Sequence, residues 1–178
     1  MKKKVLYVAA VLAALIFIWL GKEDNKPLVL KGTDLNQTAG ISDYTGLIAI
    51  DESAAYYGMF AYTDDYVLHK GTYTIRPEYS NTSSDNIIEV WDNGTKVAQW
   101  SLESTDGVKT AREYTFTLDK DSQQLHIRIY YQGVGSLILN TMSLIPQGAF
   151  YRDAPYLMVL VILLAVSGVF LASYEKKH

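Results

Sequence analysis

From residue 71 onward, apolar side chains recur at every second position. In "TYTIRPEY", Tyr73, Ile75 and Tyr79 share one face, while Thr72, Thr74, Arg76 and Glu78 share the other. That period belongs to a half-buried strand and not to a helix. Pro77 falls on the apolar face and has no N–H to donate, which implies an edge strand or a bulge there. "IIEVW" and "KVAQWSL" flank Asp92-Asn93-Gly94, the strongest hairpin signal in the chain. "REYTFTL" aims Tyr114, Phe116 and Leu118 inward. "LHIRIYY" aims Leu125, Ile127, Ile129 and Tyr131 inward, with His126, Arg128 and Tyr130 opposite. "SLILNTMSLI" closes the series, and "LIAID", "YYGMFAY" and "YVLH" precede it as three shorter strands. No run of ten residues between Lys22 and Pro155 has a clean helical period. Eight or more strands at this spacing predict an all-β antiparallel sandwich, with Tyr73, Ile75, Phe116, Ile127, Ile129 and Leu137 in its core.

The two ends of the chain obey a different rule. Val5 to Leu20 is uncharged and follows Lys2-Lys3-Lys4. It is short for a spanning helix, and Gly21 with the Lys4 stem can extend it. It reads as a transmembrane anchor or as an uncleaved signal, because "IFIWLGKED" offers no small-x-small cleavage site. Tyr156 to Tyr174 is 19 residues without a charge, framed by tyrosines and followed by Glu175-Lys176-Lys177. Lysines outside both segments place both termini in the cytoplasm. The expected organisation is a tail and anchor over 1–21, an extracytoplasmic β-domain over 22–155, and a second transmembrane helix with its tail over 156–178. Neither apolar segment holds an ionisable residue, so they read as anchors in a lipid bilayer and not as a transport path.

Charge and residue chemistry narrow the function. Residues 22–155 carry 11 lysines and arginines against 18 aspartates and glutamates, a net −7 that repels nucleic acid. The chain has no cysteine, which suits a bacterial surface domain. The histidines are His69, His126 and His178, too few for a zinc cluster. His126 reads as a surface sheet residue beside Arg128. "DKDSQQLHIRIY" starts like a calcium loop but lacks glycine at its sixth position and glutamate at its twelfth, so it reads as a turn. No pair of carboxylates stands out as a glycosidase site. The sequons at Asn36, Asn81 and Asn93 read as chance in a Ser- and Thr-rich β-protein. The expectation is a protein that is not an enzyme and needs no cofactor.

Aromatic residues are the remaining signal. A sugar ring offers C–H faces to an aromatic ring and hydroxyls to polar neighbours. Tyr56, Tyr57, Tyr62, Tyr66, Trp91 and Trp100 are candidates for such a platform. Of these, Tyr57, Tyr62, Trp91 and Trp100 are the first choice, with Asp92 and Asn93 to orient hydroxyls.

The order "LHKGTYTIRPEY", "VWDNGTKV", "FTL", "LHIRI" and "GSLILNTMSL" resembles the galactose-binding-like jelly roll, a fold that includes many bacterial carbohydrate-binding modules. The resemblance covers Val67 to Ile145. It implies a jelly-roll sandwich that recognises carbohydrate. It also implies a calcium held between an early acidic residue, here Asp51 or Glu52, and an aspartate of the closing strand. Asn140 stands at that closing position, so no metal is expected.

Three functions remain open. One is a non-catalytic surface protein of the bacterial cell membrane that binds an envelope glycan or polymer, or assists a membrane enzyme of envelope or polysaccharide assembly. The second is a structural module that docks on another membrane protein. The third is a membrane-bound hydrolase.

Overall fold

The alternating segments pair into two antiparallel sheets. The computed structural model describes residues 27–147, and both apolar segments lie outside them. Among the described residues no helix is long and apolar enough to cross a membrane.

The first strands are short: β1 (Leu28–Lys31), β2 (Asn36–Gln37), β3 (Ile41–Ser42), β4 (Ile48–Asp51), β5 (Gly58–Tyr62) and β6 (Tyr66–Leu68). The later ones carry most of the sheet: β7 (Gly71–Asn81), β8 (Ile87–Asp92), β9 (Thr95–Ser101), β10 (Thr110–Ala111), β11 (Tyr114–Leu118), β12 (Ser122–Tyr131) and β13 (Ser136–Gln147). A seven-stranded sheet runs β10-β7-β13-β4-β3, with β1 also beside β13 and β11 also beside β7. A six-stranded sheet runs β2-β5-β12-β8-β9, with β6 also beside β12.

The inward faces meet in one core. Tyr73, Ile75, Phe116, Ile127, Ile129 and Leu137 are all buried, as the alternation predicts. The Asn93-Gly94 turn has φ 47° and 78°, the double positive φ that a two-residue hairpin with matched twist requires. Gly32 is needed for close approach: a Cβ there would sit 2.6 Å from the Leu139 carbonyl oxygen and 2.9 Å from the Ile48 nitrogen.

Pro77 corrects the expectation of an edge strand, while a bulge does lie close by, in the paired strand β13, whose register shifts between Leu139 and Thr141 opposite Tyr79 and Glu78. The strand that holds Pro77 is paired on both sides, with β13 on one side and β10 and β11 on the other. The proline sits where that second partner changes: β10 ends at Ala111, β11 starts at Tyr114, and Arg112 N–H donates to the Pro77 carbonyl between them. The missing donor thus falls at a gap in the neighbouring strand and not at the sheet's edge.

Asn81 ties the loops at one end of the sandwich. It is fully buried. Its Nδ2 donates to the Leu102 carbonyl, and its Oδ1 accepts from Ser83 N and Asn86 Nδ2. Asn86 Oδ1 in turn accepts from Gln132 N. A buried polar hub of this kind is tolerated because each group has a partner.

Candidate functional site

The outward face of the six-stranded sheet collects what the alternation leaves outside. In β12 these are His126, Arg128 and Tyr130. In β8 they are Glu89 and Trp91, and in β5 Tyr62. Strand register brings them together: Arg128 lies opposite Tyr62 on one side and Glu89 on the other, and His126 lies opposite Trp91. Tyr62 and Trp91 are therefore two strand spacings apart and offset by two residues along β12, about 12 Å between Cα atoms, with β12 between them.

A chain of contacts crosses this face. His126 Nδ1 is 3.1 Å from Asp65 Oδ1, and Arg128 Nε donates to His126 Nε2 at 2.9 Å. The Arg128 guanidinium carbon stands 4.2 Å from the Trp91 ring centroid, a cation–π stack. Trp91 Nε1 donates to Glu89 Oε2 at 2.8 Å, and Lys96 Nζ donates to Glu89 Oε1 at 3.1 Å. Lys96 also reaches Gln99 Oε1. Glu89 is only 8% exposed, so its charge needs both donors.

Beside this chain lies a shallow pocket of about 290 Å³ lined by Met59, Tyr62, Thr63, Asp64, Asp65, His126 and Arg128. Asn36 Nδ2 donates to Asp64 Oδ1 at its rim. One aromatic ring, two carboxylates, an imidazole and a guanidinium converge there. Both His126 nitrogens are engaged, Nδ1 by Asp65 and Nε2 by Arg128, so the histidine offers no free nitrogen to activate a serine.

A second hollow, of about 330 Å³, lies at β3, β4 and β13. Its lining is mostly apolar (Ile41, Ala49, Ile50, Ala54, Ile138) and includes no aromatic ring. Asp51 is there, but its Oδ1 already accepts from Ser53 N and Ser53 Oγ. The Ser53 hydroxyl holds the Asp51 carboxyl below the usual carboxylate range.

The six site candidates fall in four places. Tyr62 and Trp91 share the six-stranded face. Trp100 lies opposite Ile88 and turns inward, its ring 5.4 Å from that of Tyr114. Tyr57 is 73% exposed at the opposite pole, beside the turn at Gly133. Asp92 accepts from the Ser122 hydroxyl, and Asn93 Nδ2 donates to Asp92 Oδ1 in the exposed hairpin turn. Arg128, Asp64 and Asp65 were not singled out by the sequence, and His126 was read only as a surface residue. Their signal was present in part, since alternation puts His126 and Arg128 outward.

The implied calcium position does not assemble. Asp51 pairs with Ser136 and Ile48 with Leu139, so Asn140 lies about four residues, roughly 13 Å, along β13 from Asp51. Glu52 Oε1 accepts from Gly135 N, again away from Asn140. Among the described residues no group of three His, Cys, Asp or Glu side chains could hold a metal ion.

No protein-family model matches the chain, and no curated protein matches it. Solved structures do. A family 35 carbohydrate-binding module from an environmental isolate superposes with a TM-score of 0.51 at 11% identity, over 68% of this chain and 94% of that one. The CBM35 of Cellvibrio japonicus Abf62 superposes with a TM-score of 0.50 at 17% identity, over 67% of this chain and 93% of that one. At such identities the likeness concerns the fold. Residues 27–147 share the β-sandwich fold of these carbohydrate-binding modules.

Proposed function

We propose that this protein is a non-catalytic, membrane-anchored glycan-binding protein of the bacterial envelope, and that its ligand seats in the Tyr62 pocket on the six-stranded face. The observation that carries the reading is the convergence of Tyr62 with Asp64, Asp65, His126 and Arg128 in one pocket. The Tyr62 ring supplies a flat apolar surface for the C–H face of a sugar, and the surrounding carboxylates and cations supply donors and acceptors for its hydroxyls. The fold shared with carbohydrate-binding modules supports it. The lysine-flanked apolar segments at both ends support the anchoring and the extracytoplasmic placement. The β-domain leaves both chain ends at one pole, because β1 runs antiparallel to β13 with Leu28 opposite Leu144. An anchored domain of this kind would serve as an accessory to a membrane enzyme of envelope or polysaccharide assembly.

The test is a glycan array probed with the full-length, detergent-solubilised protein. Tyr62→Ala is expected to weaken binding by about tenfold or more, the loss usual for a central contact residue. Tyr57→Ala, at the opposite pole, is expected to leave it unchanged. Absence of binding to every glycan, or full binding by Tyr62→Ala, would overturn the reading.

The second reading, a module that docks on another membrane protein, is favoured by a different observation. Ile41, 73% exposed, stands at the apolar hollow on the seven-stranded sheet. Binding lost on Ile41→Asp and kept on Tyr62→Ala would favour it.

A further inference from the structure

Arg128 covers one face of Trp91, and a single hydrogen bond fixes where that cover sits. The Arg128 Nε–H donates to His126 Nε2, so that nitrogen must hold a lone pair. The imidazole proton is then on Nδ1, facing Asp65 Oδ1. This arrangement exists only while His126 is neutral.

We infer that His126 is a pH-operated latch: neutral, it holds Arg128 over Trp91, and protonated, it releases Arg128 and uncovers the Trp91 ring as a second aromatic stacking surface. Protonation converts Nε2 from acceptor to donor. The Arg128 Nε–H then faces another N–H, and two cations stand within hydrogen-bond distance. Asp65 keeps its contact with the imidazolium through Nδ1, so the proton is retained while the arginine is expelled. The guanidinium has somewhere to go. Asp64 and Asp65 line the pocket that Arg128 also lines, and Trp91 does not line it. Movement toward those carboxylates leaves Trp91 behind and fills the space over Tyr62. Trp91 itself stays in place, because Glu89 holds its Nε1 and is held in turn by Lys96.

Charged and titratable groups face His126 from each neighbouring element. From the β5–β6 connection come the carboxylates of Asp64 and Asp65. From its own strand comes the guanidinium of Arg128. From β5 comes the neutral phenol of Tyr62. From β8 come Trp91 and Glu89, and the Glu89 charge is paired with Lys96 of β9. From β6, Tyr66 lies opposite the neighbouring Leu125. His126 is 15% exposed, enough for a proton to exchange with solvent. The latch belongs to the ligand-free protein, and its test does not depend on glycan binding.

The experiment uses the full-length protein labelled with 5-fluorotryptophan in detergent micelles. The chain has three tryptophans, so three fluorine resonances are expected, and Trp91→Phe assigns one of them. In the unmodified sequence the Trp91 resonance should shift in a single-proton transition on acidification. Its broadening by a soluble gadolinium chelate should increase on the acid side. His126→Gln should abolish the titration. Arg128→Met should leave the Trp91 resonance exposed to the chelate at every pH. The Trp100 resonance, packed against Tyr114, reports that each variant is folded. A Trp91 resonance that does not move with pH would overturn the latch. So would a titration that survives His126→Gln, or chelate broadening that is the same in acid and in Arg128→Met as at neutral pH.

Discussion

On the outer face of the seven-stranded sheet, Thr72 meets Thr117 and Thr74 meets Thr115, each pair 3.1 Å apart between hydroxyl oxygens. Arg76 faces Glu113, and Lys109 faces Glu78. These are short, separate contacts, the longest a three-residue link in which Glu78 Oε2 also accepts from Thr141 Oγ1. On the outer face of the six-stranded sheet, one chain of contacts runs from Asp65 through His126, Arg128, Trp91 and Glu89 to Lys96. Both faces come from the same two-residue alternation. Isolated pairs stabilise a sheet locally and leave nothing directed outward. A linked chain fixes the orientation of aromatic and charged groups relative to one another, which is what a recognition surface needs.

The largest expected effect would disrupt the linked face from below. Ile127 is 1% exposed, in the middle of β12 between His126 and Arg128. Ile127→Ala should cost about 2–5 kcal/mol through lost burial and the cavity left behind. A thermal melt of the full-length protein followed by circular dichroism checks it. An unchanged melting temperature would mean that Ile127 is not a core residue.

Next in size is a comparison of two glutamates, one from each face. Glu89 is almost enclosed and holds Trp91 Nε1 and Lys96. Glu89→Ala should cost about 1–3 kcal/mol, because it leaves the half-buried indole N–H without its acceptor and takes the carboxylate partner from Lys96, which keeps Gln99. Glu78, 37% exposed and paired with Lys109, belongs to the other face. Glu78→Ala should cost less than about 1 kcal/mol, as exposed ion pairs do. Equal losses for the two would remove the distinction between a linked face and a paired one.

How much of this was legible in the sequence follows from the physics of each feature. The core was legible, because alternation alone decides which side of a strand a residue occupies: Ile75, Ile127 and Leu137 needed nothing else. The Asn93-Gly94 hairpin was legible, because its backbone angles restrict its residues. The linked face was not. It depends on β12 lying between β5 and β8, and strand order is set by long-range pairing that leaves no local trace. For the same reason Trp91 and Trp100, close in sequence and alike in type, part company: the register shift between Val90 and Trp91 leaves Trp100 opposite Ile88 and turned inward. Pro77 misled because its missing donor falls where the neighbouring strand is broken, and that break is again a matter of strand pairing.

A smaller effect concerns the interior beneath both faces. The phenols of Tyr79 and Tyr114 are 3.3 Å apart, and Tyr79 also donates to the Glu103 carbonyl. Burial, the largest cause for each, pushes both hydroxyls above the ordinary tyrosine range, and at Tyr114 the Tyr79 contact adds to it. The unfolded chain therefore gives up these protons at lower pH than the folded one. The stability this contributes is full below about pH 10 and declines as pH rises above it toward the folded values. The melting temperature should fall between about pH 10 and 12, and less steeply in Tyr114→Phe, which lacks one of the two protons. An identical slope in Tyr114→Phe would show that other groups govern alkaline unfolding.

The smallest expected effect is the most direct test of the paired face. The Thr72 and Thr117 hydroxyls meet at an exposed site, where water can replace either partner. Thr117→Val keeps the β-branched shape that suits a strand and removes one hydroxyl. An exposed hydrogen bond contributes little net free energy, so the change should stay within about 0.5 kcal/mol in either direction. Thr72→Val alone should behave the same way, and the double variant should equal the sum of the two singles if the pair is as independent as its geometry indicates. Melting curves of the two singles and the double decide the matter. A coupling well above about 0.5 kcal/mol would show that the seven-stranded face is also a connected network, and the contrast between the two faces would then fail.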